Sequence, residues 1–228
     1  MKKIRFTFCR ADCIKYLSNI EIEKMFVKAF NFLKDKMKVA YSNESNSTPK
    51  LDFALDLPIG MESIGEVAEV EMEEDIKIPF FIKALNEVLP QGVAVLSAEY
   101  VDTEDNENLY LHVCSAIYEI WFIYGQKDFD DKNKRQIEDI KKWYIDRMRE
   151  YLSQNKIYIV RKKDDKVERM NVKQEISGFS FRLDNTLIVT MDAGQKSNLT
   201  PEDIMKGYDE YSGQHIDYSV RRRKIYIR

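Results

Sequence analysis

Histidine and glycine are scarce in this chain of 228 residues: it holds two histidines, His112 and His215, and eight glycines. Two histidines leave little material for a Ser-His-Asp or Cys-His catalytic set, and no G-x-x-x-x-G-K-[ST] or G-x-G-x-x-G stretch exists to cradle a phosphate. No apolar run reaches the roughly 18 residues that cross a bilayer. The opening MKKIRFTF also lacks an apolar stretch ending in small residues. A cytoplasmic protein without membrane association is the expectation. The cysteines, Cys9, Cys13 and Cys114, are an odd number in such a chain and read as free thiols.

Charge is plentiful but unevenly spread. Residues 1–108 carry 13 Lys and Arg against 20 Asp and Glu, a net of -7, whereas residues 109–228 carry 23 against 19, a net of +4. The division suits two surfaces with different partners, and equally two solvated domains of unlike composition.

Periodicity supplies the elements. Ile4, Phe6 and Phe8 alternate with polar residues as a strand does. Ser18 and Glu21 form a capping box before Ile22, Phe26, Ala29, Phe30 and Leu33, which recur at helical spacing. Leu51, Phe53, Leu55 and Leu57 predict a strand over 50–57, preceded by a polar loop from Asn43 to Thr48 and followed by the turn Pro58, Ile59, Gly60. A strand near 66–72, a helix opened by Pro79 and a strand over 92–101 complete βαββαβ, the ferredoxin-like plan.

After a polar linker at 102–108, the second half predicts a strand at 117–124, a helix over 132–154, and a strand pair about Asp164 and Asp165. A hairpin about Asp184 and Asn185, a helix capped by Thr200, and a last strand from about His215 follow. The expectation is therefore an α+β protein of two tandem ferredoxin-like domains, 1–106 and 107–228, the second with an extra β-hairpin.

The pieces YLSNIEIEKMFVKAF, KVAYSN, PKLDFALDLPIGMES and NLTPEDI together resemble the radical-SAM-linked protein family, whose members are encoded beside, or fused to, a radical-SAM protein. The resemblance implies a radical-SAM partner and singles out Ser18, Glu21, Tyr41, Ser42, Lys50, Glu62 and Ser63 as family-motif positions. Where the family reads SHLD, this chain has Ser18, Asn19, Ile20 and Glu21. Where it reads GFNPHP, the chain has Glu44 to Pro49, so both motif histidines are missing. Cys9 and Cys13 show the spacing of two radical-SAM cluster ligands, but residue 16 is Tyr16, so the third thiolate is absent. No metal, cofactor or catalytic residue is expected.

Glu69, Glu71 and Glu73 share one face of a predicted strand and read as solvated. Basic residues form the other signal. Arg161, Lys162 and Lys163 lie on the predicted hairpin, and Arg221, Arg222, Arg223 and Lys224 lie on the last strand beside Tyr226. Alternation puts Arg221 and Arg223 on one face, and Arg222 and Lys224 on the other. A ferredoxin-like sheet with basic and aromatic residues on its open side can hold single-stranded RNA. A solvated basic edge and a protein-docking surface remain open readings of the same residues. The functional expectation is a non-catalytic accessory or adaptor for a radical-SAM enzyme that binds RNA; the alternative is an RNA-processing or RNA-modifying enzyme of the tandem ferredoxin-like type.

Overall fold

The computed structural model describes residues 2–43, 46–101, 108–124, 134–163, 166–197 and 199–228, without the side chains of 43, 46, 47, 134–137, 162, 163, 166 and 167. It is a mixed α+β structure whose strands pair mostly antiparallel. Among the described residues no helix is long and apolar enough to cross a membrane. The chain divides into two compact units, 1–116 with 221–228, and 117–220. The expected boundary at 106/107 falls on residues that are not described. The terminal segment 221–228 belongs with the first unit.

In the first unit, strand β1 (Lys2–Arg10) buries Ile4, Phe6 and Phe8, as their alternation requires. Helix α1 (Asn19–Phe32) starts at the expected capping box: the Ser18 Oγ accepts from the Glu21 amide, and the Glu21 carboxylate accepts from the Ser18 amide at 2.7 Å. Phe26 of α1 stacks edge-on against Phe8, with centroids 4.9 Å apart, and lies 5.5 Å from Phe6. The residues at helical spacing thus meet those at strand spacing in one aromatic core.

The segment read as a loop pairs as a hairpin, β2 (Tyr41–Asn43) with β3 (Asn46–Pro49). Strand β4 (Leu51–Phe53) and β5 (Glu62–Met72) follow. Helix α2 (Ile78–Val88) buries Phe81 and Leu85, and its Asn86 amide bonds both the N–H and the C=O of Val95 in β6 (Val93–Val101). β5 and β6 flank β1 antiparallel, and β4 pairs with the outer edge of β5, Leu51 opposite Val70.

The strand expected over 50–57 stops at Phe53. The final strand β12 (Asp217–Ile227) explains the early end. It pairs parallel with β5 through Arg221 opposite Glu62 and Arg222 opposite Ser63, so it holds the edge along which β4 would have continued. The Arg222 guanidinium then donates to the freed carbonyls of Leu55 (3.4 Å) and Asp56 (2.6 Å).

The second unit contains β7 (Val113–Ile123) from Ile117 onward, α3 (Lys134–Ser153), β8 (Tyr158–Lys163), β9 (Lys166–Asn171), β10 (Ile176–Phe181), β11 (Leu187–Asp192) and α4 (Pro201–Ser212). β8 and β9 form a sheet of their own, and the others run in the order β10-β11-β7-β12. Ile145, Met148 and Leu152 of α3 are buried, while Ile140 is exposed. Thr200 caps α4 through a reciprocal pair of bonds with Asp203.

His215, read as a strand residue, precedes β12 and sits between two carboxylates: its Nδ1 lies 2.5 Å from Asp209 and its Nε2 3.4 Å from Asp217. The hydrogen bond and charge of Asp209 raise its pKa above 6.5. A raised folded pKa means that the protonated ring is the form the fold favours. Its stabilisation is complete below the unfolded pKa and is lost as pH rises through the folded one. The expected result is that His215→Gln flattens this pH dependence in thermal melts between pH 5 and 8; an unchanged slope would assign the dependence to other groups.

Candidate functional site

The seven family-motif positions are spread over the first unit. Ser18 and Glu21 cap α1, and their mutual bonds hold the Glu21 carboxyl below the usual carboxylate range. Tyr41 is half-buried, its hydroxyl has no partner among the described residues, and burial raises its pKa. The exposed Ser42 hydroxyl donates to the Thr48 carbonyl at 3.3 Å. Lys50 pairs with Glu71 at 2.8 Å, and Lys15 with Glu62 at 3.0 Å. Ser63 is buried where β5 meets β12, its Oγ donating to the Arg222 carbonyl and accepting from the Gly65 amide, both at 3.1 Å. These are caps, hairpin ties and a strand junction, with Ser18 alone of the seven lining the cleft beside the start of α1.

That cleft has a volume of about 480 Å³ and opens between the first turn of α1, the end of β1 and the bend after β4. Its walls are apolar: Phe8, Ile20, Ile22, Leu51, Phe53 and Leu55. Its polar lining comprises Arg10, Ser18, Asn19, Glu23, Asp52, Asp56 and Glu66. Arg10 is 2% exposed and Glu66 4%. Arg10 donates through its two terminal nitrogens to Asn19 Oδ1 and the Leu17 carbonyl, each at 2.7 Å. Asn19, standing where the resembled pattern has histidine, also accepts from the Leu57 amide at 3.2 Å. Both Glu66 oxygens accept from one Arg222 nitrogen, at 3.1 and 3.0 Å. Burial lowers the Arg10 pKa, with Glu66 opposing that shift and the nearby Arg222 adding to it. The cleft thus rests on a buried cluster of two guanidiniums and one carboxylate.

Sequence motifs mark Asn19 only as the position of a missing histidine, and none of Arg10, Asp52, Asp56 or Glu66. A signal existed for two of them. Arg10 continues the Ile4, Phe6, Phe8 face, and Glu66 continues the face of Ala68, Val70 and Met72, so period two alone places both charges inward.

The basic residues separate. Arg222, expected on the surface, is 2% exposed and serves Glu66. Ile225, three positions later, is buried too, so strict alternation fails along β12, and Arg223 and Lys224 are both exposed. Lys224 lies 4.6 Å over the Tyr226 ring. Beside them a groove of about 360 Å³ is lined by Arg5, Thr7, Ser97, Glu99, Lys224 and Tyr226 among others, on the sheet face turned away from the aromatic core. Arg161 belongs to the second unit, where it pairs with Asp203 at 2.7 Å. The side chains of Lys162 and Lys163 lie outside the described residues.

Glu69, read as solvated, is 4% exposed and takes Arg5 at 2.7 Å and Lys3 at 3.8 Å. Cross-strand pairing with β1, invisible in β5 alone, explains the difference. Cys9, Cys13 and Cys114 are free thiols. Among the described residues no three His, Cys, Asp or Glu side chains gather as a metal site would require.

Comparison with known proteins identifies a family without an assigned activity. A family model described as "Uncharacterized protein conserved in bacteria (DUF2344)" matches residues 3–201. No curated protein matches. A solved structure titled "Crystal Structure of a Cbf5-Nop10-Gar1 Complex" is similar at 12% identity and a TM-score of 0.48, over 96% of this chain and 49% of that one. The chain thus spans about half the length of the structure that it matches.

Proposed function

This chain belongs to the DUF2344 family of uncharacterized bacterial proteins, and from that premise we propose a non-catalytic accessory protein that binds single-stranded RNA in the cytoplasm beside a radical-SAM partner. The partner rests on the sequence resemblance. In this reading both units follow the ferredoxin-like plan, β4-β5-β1-β6 in the first and β10-β11-β7-β12 in the second, with β8 and β9 as the additional hairpin.

The observation that carries the RNA reading is the exposed run Arg223, Lys224 and Tyr226 of β12, of which Lys224 and Tyr226 line the groove on the outer sheet face. Aromatic stacking serves any base, and adjacent cations serve the phosphates. Arg5 is engaged by Glu69 and Glu99 lines the same groove; Arg223 and Lys224 are the exposed cations that β12 presents to phosphates.

The test is fluorescence anisotropy with a labelled twelve-nucleotide oligouridylate from 50 to 200 mM salt. Replacing Arg223 and Lys224 by Ala should weaken binding and reduce the salt slope by about 1.4, the share of two phosphate contacts on a single strand. An unchanged slope would remove this face from RNA binding. Co-purification with a radical-SAM protein encoded nearby tests the adaptor role, and no association at micromolar concentrations would end it.

A further inference from the structure

The cleft over Arg10 is distinct from the RNA strip, and its chemistry favours the opposite charge. We propose that it binds a primary alkylammonium group on an aliphatic stem, the ammonium at the carboxylate rim and an oxygen acceptor on the stem's inner end against Arg10. Four carboxylates line the space, Glu23, Asp52, Asp56 and Glu66, against one lining cation, Arg10. Glu66 is engaged by Arg222. Asp52 uses Oδ2 to accept from the Leu109 amide at 2.5 Å, which leaves its other oxygen for a ligand. Glu23 and Asp56 are exposed at the rim, and their carboxylates enter no described hydrogen bond or ion pair.

Arg10 does not make the cleft an anion site, because one cation stands against four lining carboxylates and its two terminal nitrogens each already donate to a protein oxygen, of Asn19 and of the Leu17 carbonyl. It retains a buried Nε–H with no acceptor among the described residues. A buried donor without a partner is costly, and one neutral oxygen from a hydroxyl or carbonyl satisfies it. Leu51, Phe53, Leu55, Ile20 and Ile22 supply apolar lining suited to methylenes. A free amino alcohol and a lysine side chain of a partner protein share this chemistry.

The test is proton–nitrogen correlation NMR on the full chain with four probes: pentylammonium, 5-aminopentanol, pentanoate and the peptide acetyl-Gly-Lys-Gly-amide. Pentylammonium and 5-aminopentanol should shift the amides of Asn19, Leu51, Asp52, Leu55 and Asp56, with 5-aminopentanol the tighter, and pentanoate should not. The doubly substituted Asp52→Asn, Asp56→Asn protein should bind at least tenfold more weakly while core amides such as Phe6 and Phe26 keep their positions; Asn keeps an acceptor for Leu109, so the fold should hold. Tighter binding of the peptide would assign a partner's lysine, and tighter binding of 5-aminopentanol a free amine. Shifts from pentanoate without shifts from the amines would overturn the proposal, as would silence from all four probes or variant affinity within twofold of the original.

Discussion

Replacing Arg222 by Met should lower the stability of the protein by about 3–5 kcal/mol, the range for removing one partner of a buried ion pair. The loss comes less from the attraction itself than from leaving Glu66, 4% exposed, charged and without its donor in a medium that solvates it poorly. Two backbone carbonyls, Leu55 and Asp56, lose their donor in the same change. The companion variant Arg222→Met with Glu66→Gln should recover part of the loss. Recovery is incomplete because Arg10 then forfeits the favourable field of Glu66. Urea unfolding followed by circular dichroism measures both, with the denaturant slope as the control for a changed unfolded state. A loss under about 1 kcal/mol for the single variant would show that Glu66 reaches solvent and that the cluster does not hold the junction.

Gly65→Ala is expected to be nearly as damaging, at about 3 kcal/mol, the upper end of the overpacking range. A Cβ at this position would lie within 2.6 Å of the Arg223 carbonyl carbon and 2.7 Å of Lys224 Cα, closer still to the Arg223 oxygen. All three are atoms of the β12 main chain and cannot swing aside as a side-chain end could. The strand must move off β5, which disturbs the Ser63 bond to the Arg222 carbonyl and the placement of the Arg222 guanidinium. A variant as stable as the parent, with unaltered amide exchange at Ser63, would show that β12 has slack at this crossing. Because Arg223 and Lys224 sit on the displaced strand, the RNA binding proposed for them should fall in parallel.

Both effects arise where the sequence was least informative. Local chemistry predicted the Ser18 and Thr200 caps, the Phe6 and Phe8 face, and the hairpin of β10 with β11, since each depends on residues a few positions apart. Strand 50–57 was overextended because four apolar residues at period two say nothing about what lies at the sheet edge. There, β12 takes the place of Leu55 to Leu57. The basic strip was misjudged at Arg222 for a related reason: alternation assumes an unbroken pleat, while the junction with β5 buries both Arg222 and Ile225. The cleft stood halfway. Inward positions for Arg10 and Glu66 followed from period two, whereas Asp52, Asp56 and Asn19 came together only through the bend and the helix entry.

The sequence by itself determined an α+β chain with an acidic and a basic half, its helix starts, its aromatic core and the charged ends of two core faces. These depend on short-range periodicity, capping and composition. Tertiary structure alone decided that the last eight residues join the first unit, that Glu66 meets Arg222 from 156 positions away, and that a cleft stands over the resulting cluster. Closing so long a loop is governed by which edge of β5 is open and by how closely a glycine lets another backbone approach, and neither is written in the local pattern of the segments that meet.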